Sequence, residues 1–309
     1  MVRLDTLKIL VPNHYVKHVD FGGMTKVFDV YRYVFKDVLG MKMVQVSDEG
    51  VILEGSSKLL GGEYKEGLNK ENIHEFFEAF KSFVEVDEKA YSESIVLMCD
   101  PFNDLRVSKN VDDYVLALRL SMIDSNYVVD FRTRGGYSLS FKRKVKTYNE
   151  YIRVYNKYKE LVRNRKEALK LGYENFKGVL RVEQRLSSFK RIREIFCVED
   201  NKLGLVLNSD EKVNLKALKR VLVGGRFNIE AMERIDKKEL RKMIFLLGLN
   251  EFRRLHKLEY EELKEMLKLV YSKRHLYRLL KEFRGFWGFR LKGRDVSEYV
   301  NEVFELLAA

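Results

Sequence analysis

Two stretches decide the fold: Tyr151-Ile152-Arg153-Val154-Tyr155-Asn156-Lys157 and Leu180-Arg181-Val182-Glu183-Gln184-Arg185-Leu186. Alternate residues of a strand share a face, so a period of two marks a strand with one side on a core. Ile152 and Val154 take the core face of the first run; Tyr151, Arg153, Tyr155 and Lys157 take the other. In the second run Leu180, Val182 and Gln184 oppose Arg181, Glu183 and Arg185. Between them, the charged run Lys157 to Lys170 has helical propensity.

Upstream, Tyr127 to Phe131 and Tyr137 to Phe141 flank Arg132-Thr133-Arg134-Gly135-Gly136, which reads as a hairpin. Met41 to Val46 and Val51 to Glu54 form another across Ser47-Asp48-Glu49-Gly50, and Gly55 to Gly62 reads as a loop. Leu7 to Val11 is a short strand. Ile95 to Cys99 is a buried one expected to stop at Asp100-Pro101, because proline has no N–H to donate. Ile73, Phe76, Phe77, Phe80, Phe83 and Val84 recur at helical spacing, which predicts a helix over 71–84 capped from Asn69 or Asn72; Val111 to Leu120 is a second helix. Past 205–212 only helical patterns remain. Asp236 with Glu239 resembles a capping box, and apolar stripes start at Leu263, Leu276 and Val296. The expected class is α+β: a mostly antiparallel sheet with packed helices and ferredoxin-like elements, then an all-helical C-terminal part. The expected division is a catalytic and DNA-binding domain over 1–205 and a helical domain over 206–309.

The chain has 309 residues, 46% hydrophobic and 34% charged, enough for a sizeable core and against disorder. No apolar run could span a bilayer, and Arg3, Asp5 and Lys8 interrupt any signal-peptide core. Cys99 and Cys197 make no disulfide framework, so a reducing cytoplasmic compartment is expected. Two cysteines and five scattered histidines argue against structural zinc, and no G-x-x-x-x-G-K loop suggests an ATPase.

The net charge of +12 is uneven. Residues 1–125 hold 15 basic and 21 acidic residues, whereas 126–196 hold 19 basic and 7 acidic. Basic charge gathered in one segment is the footprint of a polyanion partner, and nucleic acid is the expected one. A lysine-rich solvated surface predicts mixed signs, as in 197–309.

Within that basic segment, Tyr155 between Arg153 and Lys157 admits two readings. One is an aromatic strand face with solvated cations. The other is phosphotyrosyl chemistry, in which nearby positive charge lowers the phenol pKa and holds a phosphate. Glu183 between Arg181 and Arg185 is a ladder salt bridge or a ligand for a hard cation. Asp100, at a strand end, is a turn residue or a ligand; Glu160 is a helix-surface residue or a fourth ligand.

The segment from Arg153 to Leu161, followed by Leu180 to Leu186, is similar to the R-x-Y-x-K … R-x-E-x-R signature of rolling-circle replication initiators, including the filamentous-phage gene II and staphylococcal plasmid types. The opening Leu4-Asp5-Thr6-Leu7-Lys8-Ile9, Gly55-Ser56-Ser57-Lys58, and the strand leading to Asp100 extend the resemblance over residues 4–195. It implies metal-dependent nicking of one DNA strand by a tyrosine, leaving a 5′-phosphotyrosine and a free 3′-OH. Tyr155 or Tyr137 would be the nucleophile. Tyr155 is preferred because Tyr137 alternates with Leu139 and Phe141 on a core-like face; Tyr148, Tyr151 and Tyr158 also crowd the region. Glu183, Asp100 and Glu160 would hold Mg²⁺ or Mn²⁺. Arg153, Lys157, Arg181 and Arg185 would contact phosphates, with Lys142, Arg143 and Lys144 as further DNA contacts. Origin DNA, as duplex and single strand, is the expected partner; a host helicase and a second copy of the chain are further expectations. A non-catalytic DNA-binding initiator or regulator of a mobile element is the alternative, and a nuclease using water or another hydroxyl is a third reading.

Overall fold

The computed structural model describes residues 1–36, 38–121, 124, 126–130, 138–143, 150–163, 165–222, 245, 248–249, 260–269, 271–283 and 296–309. In chain order the elements are β1 (Leu4–Pro12), β2 (Val16–Val19), β3 (Thr25–Val27), β4 (Val30–Val34), β5 (Met41–Ser47), β6 (Gly50–Ser56), α1 (Ile73–Phe80), β7 (Val84–Val86), α2 (Ala90–Glu93), β8 (Ile95–Arg106) and α3 (Val111–Leu120). They continue with β9 (Tyr127–Asp130), β10 (Ser138–Arg143), β11 (Tyr151–Asn156), α4 (Lys157–Val162), α5 (Arg165–Lys170), β12 (Val179–Arg185), α6 (Phe189–Phe196), α7 (Leu203–Leu207) and α8 (Val213–Val221). The last are α9 (Tyr260–Lys268), α10 (Lys273–Phe283) and α11 (Val296–Ala308). Ten strands form one sheet in the order β3-β4-β5-β6-β1-β8-β12-β11-β10-β9, every pair antiparallel, and β2 pairs with β7 separately. The fold is therefore α+β, with helices in the C-terminal part. Among the described residues no helix is long and apolar enough to cross a membrane.

Three local expectations are corrected. The helix of 71–84 is shorter, because Phe83 lies in a turn and β-branched Val84 and Val86 pair with β2. The Asn69 Oδ1 atom accepts from the Glu71 and Asn72 amides, while Asn72 Oδ1 accepts from the Asn69 amide, a reciprocal cap before α1. The region Gly55 to Gly62 is not a loop: β6 runs to Ser56, and a 3-10 segment covers Ser57–Glu66. Gly55 packs closely there: an added Cβ would meet the Phe76 ring at 3.0 Å and the Gly40 carbonyl oxygen at 3.2 Å. Most consequentially, β8 does not stop at Pro101 but runs twelve residues to Arg106. The amides around the proline find acceptors on both sides: Cys99 N–H donates to Leu186 O at 3.0 Å and Phe102 N–H to Arg3 O at 3.0 Å. One missing donor in a strand flanked by two partners costs a single ladder bond, which the rest of the strand outweighs.

Two cores lie along the sheet. Leu7, Ile9, Val11, Leu53 and Val96 pack against α1 through Phe76 and Phe80. Leu139, Phe141, Ile152, Val154, Leu180 and Val182 pack against α3, α8 and α11 through Val115, Leu118, Val221, Val300 and Val303. The Glu302 carboxylate ties α11 to α3, accepting from the Tyr114 hydroxyl at 2.5 Å and from the Ser108 amide at 2.8 Å. The capping box expected at Asp236 and Glu239 and the turn Arg132 to Gly136 lie outside the described residues.

Candidate active site

Register brings the charged residues of four strands onto one face. On β11 and β12, Tyr151 stands opposite Arg185, Arg153 opposite Glu183, and Tyr155 opposite Arg181; on β12 and β8, Arg181 stands opposite Asp104 and Glu183 opposite Phe102. With β1, the segment 38–42, Ser57–Glu66, α4 and α5 they enclose a cavity of about 620 Å³. Its lining includes Asp5, Asp100, Glu160 and Glu183, the cations Lys42, Lys58, Arg153, Lys157, Lys166, Lys170 and Arg185, and Tyr155. Of these carboxylates Asp100 and Glu183 are buried and Asp5 and Glu160 half-buried, while Lys166 and Lys170 are exposed at the rim.

The Tyr155 hydroxyl donates to Glu183 Oε2 at 2.8 Å. Burial, then the Glu183 charge, pushes the phenol well above its ordinary pKa. This corrects the expectation that flanking cations lower it: Tyr155 is 3% exposed, and desolvation of a phenolate outweighs the Arg181 charge. Burial, followed by Asp5 and Asp100, raises Glu183 to about 7. Arg153 approaches Glu183 Oε1 at 3.9 Å and lies over the Tyr151 and Tyr155 rings.

Lys157 is not a strand residue. Asn156 caps α4, its Oδ1 accepting from the Lys159 amide at 3.1 Å, and the chain turns so that Lys157 enters the cavity as the first residue of the helix. Its Nζ donates to Glu160 Oε2 at 2.8 Å and lies over the rings of Tyr64 and Tyr155. Burial, then Arg181, lowers its pKa.

Arg181 does not line the cavity. It is wholly buried, gripping Asp104 through Nε at 2.6 Å and Nη2 at 2.7 Å, Asp5 Oδ1 at 2.9 Å and the Tyr64 hydroxyl at 3.2 Å, over the Phe102 ring. It is out of reach of a phosphate in solution and acts as the hub behind the cavity. Arg185 grips Asp100 with Nε at 2.9 Å and Nη2 at 2.6 Å. Lys142 shares the cavity face, opposite Tyr151, whereas Arg143 lies near Glu150 at 3.6 Å on the other side. Gln184 also faces away, donating to Glu150 Oε1 at 3.1 Å. Tyr137, Lys144 and Tyr148 lie outside the described residues.

Asp5 and Tyr64 were missed as site residues. The available signal was an aspartate between Leu4 and Thr6, in a strand whose other charged residue is Lys8. Burial alone would raise the Asp5 carboxyl, but Lys157 and Arg181 outweigh it and hold it at about 2.

Carboxylate oxygens suit Mg²⁺ or Mn²⁺, and such ions are commonly held by one or two carboxylates with substrate phosphate. Asp100 spends both oxygens on Arg185, and Glu160 Oε2 is taken by Lys157. Asp5 Oδ1 accepts from Ser57, Tyr64 and Arg181, so its Oδ2 is left; Glu183 Oε2 is taken by Tyr155, leaving Oε1. Among the described residues no three His, Cys, Asp or Glu side chains meet at metal-binding distance. Asp5 Oδ2 and Glu183 Oε1 are oxygens of the chemical kind that a hard cation takes.

Fold and site define an antiparallel-sheet protein with a carboxylate-floored, cation-rimmed cavity and a tyrosine hydroxyl at its bottom. No family model and no curated protein matches the chain. Among solved structures it is similar to a rolling circle replication initiator protein from Geobacillus stearothermophilus, at 11% identity over 79% of this chain and 96% of that one, with a TM-score of 0.33. At that level the likeness carries no functional weight, which rests on the cavity alone.

Proposed function

We propose that this chain nicks and rejoins one DNA strand, as an initiator of rolling-circle replication, with the Tyr155 hydroxyl as nucleophile. The observation that carries the reading is the 2.8 Å bond from that hydroxyl to Glu183 at the bottom of a cavity rimmed by cations. Attack would form a bond from Tyr155 oxygen to phosphorus as the bond from phosphorus to the 3′-oxygen breaks; that oxygen would take a proton from water, giving a 5′-phosphotyrosine and a free 3′-OH. A phenol with a raised pKa must lose its proton as that bond forms, and Glu183 Oε2 already accepts it. Arg153 and Lys157 would offset charge on the phosphoryl oxygens. Bound Mg²⁺ or Mn²⁺ would supply Lewis-acid polarisation, with Asp5 and Glu183 as the residues holding it. Origin DNA is the proposed partner, with a host helicase and a second copy as further proposals.

The second reading, a non-catalytic DNA-binding initiator or regulator, is favoured by the Arg185 grip on both oxygens of Asp100. Incubation with supercoiled DNA bearing the gene's own region, with Mg²⁺ or Mn²⁺, separates the two. Relaxed circles and a covalent protein–DNA adduct lost in Tyr155→Phe are expected. An adduct surviving that change moves the nucleophile to another tyrosine, and binding with no adduct favours the second reading.

A further inference from the structure

Away from the cavity, the outer face of α10 is unaccounted for. Leu263 and Leu267 of α9 and Leu276 and Leu280 of α10 form a small core, with Leu116 of α3 packed against it. That places the pair on α3, on the side of the sheet away from the cavity. Burial of Leu276 and Leu280 turns the opposite side of α10 outward, exposing Arg274, Tyr277 and Arg278; Tyr277 is 72% exposed. Residues 274, 277 and 278 stand at i, i+3 and i+4, so they make one patch. On α9, Lys264 and Lys268 are matched by Glu261 and Glu265 three residues earlier. Among the described residues Arg274 and Arg278 have no such carboxylate bonded to them, and the acid in the sequence of α10 is Glu282, one turn beyond Arg278.

We propose that this face of α10 docks duplex DNA. Charge complementarity points to the occupant: two arginines one turn apart beside an exposed aromatic suit a regular array of phosphates. An α-helix with its side chains, roughly 10–12 Å across, matches the major groove, about 12 Å wide. The inference deepens the reading above, because it assigns duplex capture to a surface separate from the cutting cavity.

The test uses the full chain, the Arg274→Ala/Arg278→Ala double variant, and anisotropy over a salt series. Probes are 30-base-pair duplexes tiled across the gene's own region, a random duplex and a single strand of equal length. The double variant is expected to lose about tenfold or more in duplex affinity and to flatten the log–log salt slope by about 1.8, at roughly 0.9 per phosphate. Single-strand affinity should hold. Should circular dichroism show the variant unfolded, Arg274→Gln/Arg278→Gln replaces it. Unchanged duplex affinity and slope overturns the proposal, and so does an equal loss on the single strand. Lost duplex binding in a protein that forms no adduct with any DNA keeps this surface and sinks the nicking reading.

Discussion

The two faces of β11 and β12 both hold buried side chains, yet they carry opposite chemistry. On one, Ile152, Val154, Leu180 and Val182 are at most 1% exposed and closed over by α3, α8 and α11. On the other, Tyr155, Arg181 and Glu183 are 3% exposed or less, and each of the three has a hydrogen-bond partner. Alternation of apolar and charged residues usually signals a strand with one wet face. Here the charged face is folded inside, where ion pairs and hydrogen bonds offset the desolvation. The apolar face stabilises by excluding water from hydrocarbon. The charged face holds reactive groups where water cannot level their pKa values.

The largest expected effect breaks the charged face at its centre. Glu183→Gln keeps volume but removes the proton acceptor, so adduct formation should fall about 10²–10⁴-fold in single-turnover gels with DNA affinity unchanged. Full activity would exclude Glu183 from the chemistry. The same variant sharpens the comparison through pH. Glu183 sits at about 7 in the fold against an ordinary 4.5, so its charged form disfavours folding. Wild type should lose stability as pH rises from about 4.5 to 7, and the loss is complete above that range. In EDTA, the melting advantage of Glu183→Gln should therefore grow between pH 5 and pH 8. A constant difference would mean that burial, Asp5 and Asp100 do not together raise Glu183.

Next in size is the hub. Arg181→Met strands Asp5 and Asp104 without their shared counter-charge and should cost about 3–5 kcal/mol in denaturant unfolding. Adding Asp104→Leu should recover part of it. A double variant no more stable than the single one would show that packing over Phe102, and not charge, is what Arg181 contributes.

The apolar face should respond to volume alone. Ile152→Val removes one methylene and should cost about 0.5–1.5 kcal/mol while adduct yield stays at the wild-type level. Lost activity in a folded Ile152→Val protein would mean that the two faces are mechanically coupled. Smallest of all, Lys166→Ala and Lys170→Ala at the exposed rim should leave the melting temperature alone and flatten the salt slope by no more than about 0.9 each. No change in either variant would place the bound strand elsewhere along the cavity mouth.

Much of this was legible in the chain. Hairpins, the α3 helix and the strands β11 and β12 follow from periods of two and 3.6, which are local properties of the backbone. The same alternation placed Tyr155, Arg153 and Glu183 on one side. Local pattern could not tell that this side is buried, because a charge that is solvated and a charge that is paired look alike in sequence. Nor could it say which partner each charge meets. Arg181 bonds Asp5 across 176 residues, and Arg185 takes both oxygens of Asp100 across 85. Those pairings depend on the register in which β1, β8 and β12 lie side by side. Register is decided only when distant strands pair and the apolar face closes. Lys157 shows the same division: its place in the motif was readable, but the cap at Asn156 and the packing of α4 sent its ammonium into the cavity. The sequence by itself determined which residues share a face, because side-chain direction follows the backbone period. Only the tertiary structure decided which of them meet, because contacts between distant strands have no local signature.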